Sequence, residues 1–444
     1  MAEQMKPSGI DWIGDIPESW KVKPLKYLAK CNQDVLLETT APDYSFRYVD
    51  IGSVTYERGI TEYQELRFED SPSRARRRVS VGDTIISTVR TYLKAIAIIS
   101  DSENVIVSTG FAVYTPDKAI YPQYLYYFCK SEGFVQEIDK NSYGIAYPAI
   151  NTDLLSRICI AYPCYEEQQV IADFLDKECA QIDSIAADLE KQIELLQQYK
   201  KSLITETVTK GLDKSVPMKD SGVEWIGEIP VGWELSRIKY LTDNHHPYPI
   251  GDGDHGMIKA DDYLTEGIPY IRVLNLTWES GLNLENLVFI SKEMNSLIKN
   301  SELKPNDILI AKTGATIGKT AIVPDSLPVS NTTSHVGKIT LANVHDAKYF
   351  YYVMTSSIVQ KQIQDISAMQ STRPELGIEG LKNLILTVPP FDIQQHIARF
   401  LDDHCAKIDR VLHEKGKQLS VIKQHKKSLI YEYVTGKKRV KEVQ

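Results

Sequence analysis

Two glycine-containing stretches of the sequence carry residue types that could bind a nucleotide. Residues 251–256, GDGDHG, match the G-x-G-x-x-G pattern, but they follow the polar, proline-containing NHHPYPI instead of a buried strand. Residues 314–320, GATIGKT, have three residues between their glycines where a phosphate-binding loop has four, and the AIV that follows favours a strand. Neither stretch predicts a nucleotide site.

Other side chains that could do chemistry are equally incomplete. His245, His246, Asp252, Asp254 and His255 have metal-ligating types, yet no second cluster completes a site, so a polar surface loop explains them better. The sequence contains no nucleophile elbow, HExxH, deaminase signature or NPPY tetrapeptide. We therefore expect a protein without a catalytic centre and without a metal.

A cluster of basic residues points to binding instead of catalysis. Arg74, Arg76, Arg77 and Arg78 precede the apolar run VSVGDTIIS and are predicted to lie in a turn. Four arginines suit contact with phosphates, although a solvated charged loop accounts for them equally well. The polar loops NTTSH (331–335) and QSTRP (370–374) correspond in position to IVSTGF and NSYGIAYP in the first half. Such loops carry side chains that can read base edges.

The composition is that of a globular protein of two or three domains. The chain has 444 residues, of which 25% are charged and 43% hydrophobic, and a net charge of −8 that excludes neither a basic face nor nucleic-acid binding. It has no long apolar run and no signal-peptide pattern, so we expect a cytoplasmic protein without membrane contact. Its six cysteines form no CxxC pair and are predicted to be small buried hydrophobes.

The elements that must position these residues are repeated along the chain. MKPSGIDWIGDIPESW begins at Met5 and MKDSGVEWIGEIPVGW at Met218, an offset of 213. PCYEEQQVIADFLDKECAQID begins at Pro163 and PPFDIQQHIARFLDDHCAKID at Pro389, an offset of 226. The segments between these ends share little sequence, but both contain strand-like runs and a comparable helical stretch. The sequence thus predicts two tandem halves with the same fold.

Each half ends in a heptad pattern typical of a coiled-coil helix. Two matching runs favour pairing with each other, antiparallel and about a pseudo-two-fold axis, over packing of each helix on its own domain. Lys415 interrupts the second run and is predicted to meet Asp188 or Glu190, or else solvent. The seam residues are Leu175, Ile182, Leu189, Leu196, Leu203, Leu401, Ile408, Leu412, Leu419, Ile422 and Leu429.

The order of these motifs resembles the specificity subunit of type I restriction-modification systems. The resemblance rests on GIDWIGDIPESW, on GIAYPAINTDLLSRICIAYP and on EEQQVIADFLDKECAQID, each followed by its second copy. It implies an α+β fold with two α/β target recognition domains in tandem and two long helices in an antiparallel coiled coil. The expected boundaries are 1–165 and 211–391 for the recognition domains and 166–210 and 392–444 for the helices.

The resemblance also implies partners and a division of labour. Each recognition domain is expected to read one half of a bipartite site in double-stranded DNA, and the subunit itself has no enzymatic activity or cofactor. S-adenosylmethionine, ATP and Mg are expected in partner subunits: two modification (methyltransferase) subunits and, where the system includes them, restriction subunits. The residues predicted to contact DNA are Arg74, Arg76, Arg77, Arg78, Arg90, Lys94, Tyr143, Tyr147, Lys312, Thr316, Lys319, His335, Thr372 and Arg373.

The helices are expected to act as a ruler between the two recognition domains. Ala172 to Leu203 spans about 47 Å at about 1.5 Å per residue, or about 14 base pairs of DNA. Two alternatives remain: a coiled-coil scaffold that does not bind DNA, and a nucleotide-dependent enzyme. A gel shift tests the first, and nucleotide binding by the isolated chain tests the second.

Overall fold

The computed structural model describes residues 4–278, 281–368 and 374–440. The chain divides into two units, Met1–Leu189 with Lys417–Gln444 and Glu190–Gly416. Each unit therefore takes part of both long helices, whereas the sequence-based division set the helices apart as segments of their own.

The first unit combines sheets with short helices and the first part of a long helix. Its strands are β1 (Met5–Pro7), β2 (Asp15–Pro17), β3 (Lys21–Pro24), β4 (Ala29–Cys31), β5 (Ser45–Val49), β6 (Val54–Thr55), β7 (Gly59–Ile60), β8 (Gln64–Arg67), β9 (Ala75–Arg78), β10 (Thr84–Ser87), β11 (Ile96–Ile98), β12 (Val105–Ser108), β13 (Phe111–Pro116) and β14 (Cys159–Tyr162). Its helices are α1 (Pro122–Lys130), α2 (Glu132–Lys140), α3 (Thr152–Arg157) and the beginning of α4 (Tyr165–Lys210).

The second unit is built in the same way. Its strands are β15 (Met218–Asp220), β16 (Glu228–Pro230), β17 (Glu234–Arg237), β18 (Ile250–Asp252), β19 (Ile268–Ile271), β20 (Val288–Ile290), β21 (Ile308–Ala311), β22 (Thr320–Ile322), β23 (Asn331–Thr332), β24 (Val336–Ile339) and β25 (Ile385–Val388). Its helices are α5 (Lys292–Leu297), α6 (Ala347–Thr355), α7 (Ser357–Ala368), α8 (Ile378–Lys382) and most of α9 (Phe391–Val434).

The sheet topologies confirm that the two halves share a fold. In the first unit an antiparallel sheet has the order β11-β10-β13-β4, and in the second unit the order is β22-β21-β24-β18. A second sheet contains a parallel pair in each case, β5 with β12 and β19 with β23. The first unit adds β9 beside β12, and this added strand carries the arginine cluster.

Apolar side chains of the predicted strands and helices fill each core. Trp20, Tyr124 and Phe128 are fully buried in the first unit, and Tyr349 and Phe350 occupy the second core. Most of the aromatic run of α1 is thus core, with Tyr126 partly buried beside it. Of the cysteines, Cys129, Cys179 and Cys405 are buried, Cys31 and Cys159 are partly buried, and Cys164 is exposed, contrary to expectation.

A serine divides each predicted helical stretch into two helices. Ser131 has an extended backbone between α1 and α2, and its hydroxyl donates to the carbonyl of Phe128 at 2.6 Å. Ser356 makes the same bond to Val353 between α6 and α7. The serine hydroxyl provides a hydrogen-bond donor for a carbonyl at the end of the first helix, and the extended serine backbone lets the chain turn into the second helix.

The glutamine of the repeated QQ motif fixes the start of each long helix. Gln168 is fully buried, and its amide donates to the carbonyls of Pro163 and Ala119 while its oxygen accepts from the Tyr121 amide at 2.7 Å. Gln394 donates to Pro389 and accepts from the Asp346 amide in the same way. The motif is therefore structural, because a buried side-chain amide needs these partners.

Helices α4 and α9 pack together in antiparallel fashion within each unit. In the first unit Lys426 contacts both carboxylate oxygens of Asp183 at 2.6 and 2.7 Å, while the ring centroids of Phe174 and Tyr433 lie 4.5 Å apart. In the second unit Lys200 contacts Asp409 at 2.7 Å, and Lys415 donates to Gln192. In both units, residues later in α4 contact residues earlier in α9, which is the order of an antiparallel pair.

The two ion pairs are copies of one another. Lys426 follows Lys200 by 226 residues, and Asp409 follows Asp183 by the same number, which is the offset of the repeat. Leu175, Ile182, Leu189, Leu401, Ile408 and Leu429 of the heptad pattern are buried, and Leu196, Leu203, Leu412, Leu419 and Ile422 are half-buried. The repeated sequence thus builds the same helix pair in each unit.

Candidate nucleic-acid interface

Three of the four clustered arginines lie in a strand, so the prediction of a turn was wrong for Arg76, Arg77 and Arg78 and right for Arg74. Residues 75–78 are β9, which pairs with β12 through Ala75, Arg77 and Arg78, with a shift of register at Arg76. Successive side chains of a strand point to opposite faces. Strand geometry therefore separates Arg77 from Arg76 and Arg78, and the cluster does not form a single basic surface.

Each arginine has a different environment. Arg74 forms an ion pair with Asp50 at 3.0 Å and donates to the Tyr48 hydroxyl. The guanidinium of Arg76 lies 4.7 Å from the ring centroid of Phe68, and that of Arg78 lies 5.9 Å from the ring centroid of Tyr44. Arg78 is exposed and, of the four arginines, is the one best placed to contact phosphates of a bound nucleic acid.

Arg77 is turned toward the protein. Burial lowers the pKa of its guanidinium, and its Nε atom is buried without a hydrogen-bond partner among the described residues. The thiol of Cys31, whose pKa is raised by burial, interacts electrostatically with this guanidinium. This position makes Arg77 a poor candidate for phosphate contact.

Four other predicted residues lie on two segments that the structure brings together. Arg90 and Lys94 belong to the loop after β10, and Tyr143 and Tyr147 belong to residues 141–149, hereafter the apolar hairpin. Tyr143 and Ala149 exchange both backbone hydrogen bonds at 2.9 Å. Val89 forms a bridge with Ala149, so the loop and the hairpin are adjacent.

The apolar hairpin exposes side chains that the sequence reading missed. Ile145 has an exposed fraction of 105%, between Tyr143 at 65% and Tyr147 at 74%. Tyr92 on the neighbouring loop is 53% exposed. Contiguous exposed apolar groups mark interaction sites. The sequence signal, Tyr-Gly-Ile-Ala-Tyr-Pro in a turn-rich segment, is weak without the pairing that presents it.

In the second unit the predicted Lys312 is buried, which argues against its role in DNA contact. Its side chain is 3% exposed. Its ammonium lies 2.5 Å from a carboxylate oxygen of Asp252 and 3.9 Å from one of Glu375. A buried charge needs such partners, and pairing with them occupies the ammonium. Lys312 therefore positions the surface around it.

The remaining predicted residues of the second unit lie near this ion pair. His335 is exposed, and its ring nitrogen is 3.2 Å from the Thr313 hydroxyl. Thr316 donates to the Thr313 carbonyl, and Lys319 is half-buried. Thr372 and Arg373 lie outside the described residues. A cleft of about 670 Å³ is lined by Asp252, His255, Lys312, Thr313, Gly314, Ser334, His335, Pro374 and Glu375.

The GDGDHG stretch forms one wall of this cleft. Gly253 packs so closely on the backbone of Thr332 that an added Cβ would lie 2.0 Å from its carbonyl oxygen. Asp254 accepts hydrogen bonds from the amides of Ile258 and Ser334. The glycines therefore serve close backbone packing. Within the described ranges, no group of three or more His, Cys, Asp or Glu side chains could hold a metal ion.

Both units fasten a helix of the recognition region to the long helices by tyrosines. Tyr127 donates to Asp176 at 2.6 Å, and Tyr352 donates to Asp402 at 2.8 Å. Burial and the adjacent carboxylate raise the pKa of both phenols, so they remain donors at neutral pH. These bonds tie α1 to α4 in the first unit and α6 to α9 in the second.

Comparison with known proteins matches this architecture to one family. The family model described as Type I restriction modification DNA specificity domain matches residues 17–195 and 250–420. The chain belongs to this family of specificity subunits of type I restriction-modification systems. Specificity subunits of these systems bind DNA and assemble with other subunits.

Individual relatives are distant but extensive. The MjaIX specificity subunit of Methanocaldococcus jannaschii is 24% identical over 97% of this chain and 96% of its own length. The EcoBI specificity subunit of Escherichia coli is 25% identical over 68% of this chain, and the chain spans 63% of that relative. A solved structure from work on complex assembly and conformational transition of the type I R-M system is similar, with a TM-score of 0.71 at 18% identity. The match covers 94% of this chain and 98% of that one. It supports the fold.

No helix among the described residues is long and apolar enough to cross a membrane.

Proposed function

We propose that this chain directs a methyltransferase complex to a bipartite DNA sequence, one half of which is recognised by each unit. The proposal rests on one contrast: the helix pair is repeated in both units, whereas the surface loops differ between them. The ion pairs Asp183–Lys426 and Lys200–Asp409 are equivalent, whereas the loops that face solvent are not. Two units with different surface loops on the same helix pair suit a DNA target whose two halves differ in sequence.

The surfaces differ in chemistry as well as in sequence. The first unit presents the apolar hairpin beside Arg90 and Lys94. The second presents a polar cleft with His335 at its margin and the Lys312–Asp252 pair inside it. Polar groups and apolar groups recognise different base edges in the major groove. The helices α4 and α9 would set the unread spacing between the half-sites.

Two copies of a modification subunit are the partners that the repeat suggests. Ile185 and Val421 are exposed in the first unit, at 50% and 65%, and Leu195 and Val411 in the second, at 50% and 43%. Val411 and Val421 follow Ile185 and Leu195 by 226 residues each. Equivalent exposed apolar pairs suit two identical partners.

Catalysis belongs to those partners in this proposal. Methyl transfer with S-adenosylmethionine, and any ATP- and Mg-dependent cleavage, would reside in modification and restriction subunits. Residues of the GDGDHG stretch serve the fold instead: Gly253 packs on the backbone of Thr332, and Asp254 accepts hydrogen bonds from backbone amides. The proposed location is the cytoplasm.

Methylation mapping tests the proposal directly. Host DNA is sequenced for modified adenine with and without this gene, and the purified chain is tested in gel shifts with and without its methyltransferase partner. We expect one bipartite motif that depends on the gene and a specific shift with the partner. A complex that assembles but binds all sequences equally would identify the chain as a scaffold only.

A further inference from the structure

We propose that the apolar hairpin of the first unit recognises the 5-methyl group of thymine, with Ile145 as the residue that determines this specificity. The inference rests on the proposed function and deepens it, because it names the chemical group that one half-site must offer.

The exposure of Ile145 is the first observation. An isoleucine that is 105% exposed contributes no burial to the fold, and its neighbours Tyr143 and Tyr147 are also more than half exposed. These three side chains occupy alternate positions around the tip of the hairpin. Apolar surface held in water is unfavourable, and contact with an apolar group of a ligand removes it.

The backbone of the hairpin is fixed, so the apolar tip is presented by a defined structure. Tyr143 and Ala149 exchange two backbone hydrogen bonds, and the Thr91 amide donates to the Pro148 carbonyl at 3.3 Å. Gly144 has φ of +102°, and a Cβ there would lie 3.1 Å from the Tyr147 carbonyl oxygen. These bonds hold the base of the hairpin, which limits the conformational freedom that its tip loses on binding.

Charge identifies nucleic acid as the occupant. The segments 87–94 and 141–149 contain Arg90 and Lys94 and no acidic residue. Neither cation forms an ion pair within the described part of the chain. An apolar tip flanked by free cations complements a base edge flanked by phosphates, whereas an apolar protein surface would not need the cations.

The major groove supplies an apolar group that such a tip can read. Thymine is the base that presents a methyl group there, and the groove is wide enough to admit a two-stranded ribbon. The apolar hairpin is a narrow loop closed by the bridge between Tyr143 and Ala149, and Val89 bridges to it on the side of Ala149, so its tip is slim enough to enter this groove. Readout of a methyl group needs contact and water exclusion without a hydrogen-bond partner, which is what Ile145 offers.

Replacement of thymine by uracil tests the inference, because it removes the methyl group and keeps base pairing. After the target is mapped, the assembled complex is titrated with duplexes that carry uracil at one thymine position at a time in both half-sites. We expect about a fourfold loss of affinity at one or more thymines of one half-site only, the loss expected for one buried methyl-sized group.

The variant Ile145→Ala links the loss to this side chain. It should bind the thymine duplex about tenfold more weakly and no longer distinguish it from the uracil duplex. Val81→Ala is the matched control, because Val81 is 65% exposed and lies at the other end of β10. This control should keep both the affinity and the uracil effect.

Two results would overturn the inference: a uracil effect that persists in Ile145→Ala, or wild-type affinity in that variant. Weaker assembly with the methyltransferase and unchanged DNA contact would assign the hairpin to a protein partner instead. Specific binding with no uracil effect removes this inference alone, whereas absence of any sequence-specific binding removes the proposed function and the inference with it.

Discussion

Lys312 shows how one side chain can shape a recognition surface without contacting the ligand. Its ammonium lies between Asp252 and Glu375 and beneath the cleft of the second unit. Removal of one partner from a buried ion pair leaves the other charge without compensation. The identity of residue 312 therefore affects stability first and recognition only through it.

We expect Lys312→Ala to lower the free energy of unfolding by about 3 to 5 kcal/mol. Chemical denaturation of the purified chain measures the change. Lys319→Ala serves as the control, since Lys319 is half-exposed and has no ion pair within the described residues. A Lys312→Ala protein that is as stable as wild type but binds DNA poorly would instead make Lys312 a direct contact.

The arginines of β9 allow a second prediction at the residue scale. Arg78→Gln should weaken binding to matched and mismatched DNA alike and reduce the slope of log affinity against log salt by about one unit, because one phosphate contact is lost. Arg74→Gln should leave the slope unchanged, since that guanidinium already neutralises Asp50. Equal slopes for wild type and Arg78→Gln would assign Arg78 to solvent.

At the scale of elements, the paired helices α4 and α9 repeat more than a heptad seam. Their equivalent ion pairs fix register, and their equivalent exposed pairs, Ile185 with Val421 and Leu195 with Val411, offer the same surface twice. Lysines 200 and 426 are largely covered while their carboxylate partners are more exposed. Such pairs contribute modestly to stability.

The repeated surface predicts the number of partners. Ile185→Asp should reduce the methyltransferase subunits bound per chain from two to one, because it places a charge in one of two equivalent apolar contacts. The combination of Ile185→Asp with Val411→Asp should bind none. Native mass spectrometry or light scattering of the complex gives the count.

Val170→Asp is the control for this experiment, since Val170 is 47% exposed on α4 but has His396 at its repeat position. It should bind two partners. Full assembly by the double variant would show that the methyltransferase docks elsewhere.

At the scale of the whole molecule, the helices predict how the target changes with helix length. We expect insertion of one heptad after Leu189 and one after Leu419 to lengthen the preferred gap by about three base pairs, from about 10 Å of added helix. Both half-sites should persist. These positions face each other in the antiparallel pair. Asp183 contacts Lys426, and moving six residues forward along α4 and seven back along α9 leads to Leu189 and Leu419.

Activity should fall in the lengthened protein, since three base pairs also rotate one half-site by about 100° on a duplex of about 10.5 pairs per turn. Methylation mapping reads both the gap and the half-sites. Insertion in α4 alone is the control, because it breaks the register and should impair assembly. An unchanged gap with full activity would show that the helices do not set the spacing.

The sequence by itself determined the duplicated architecture, because its signals are local and periodic. Heptads placed Leu175, Ile182 and Leu401 in the helix pair, and apolar runs located strands such as β10 and β21. The QQ motif marked the helix starts, although its role as a buried set of hydrogen bonds was visible only in three dimensions. Repetition at offsets of 213 and 226 made each of these signals appear twice.

Only the tertiary structure decided which residues form the surfaces. A run of arginines does not reveal whether it forms a turn or a strand, and the strand β9 separated Arg77 from Arg76 and Arg78. Lys312 looked available until its partner Asp252, distant in sequence, enclosed it. Ile145 was not singled out in the sequence, and the bridge between Val89 and Ala149 places it at an exposed tip. Burial depends on contacts between distant segments, which local patterns do not encode.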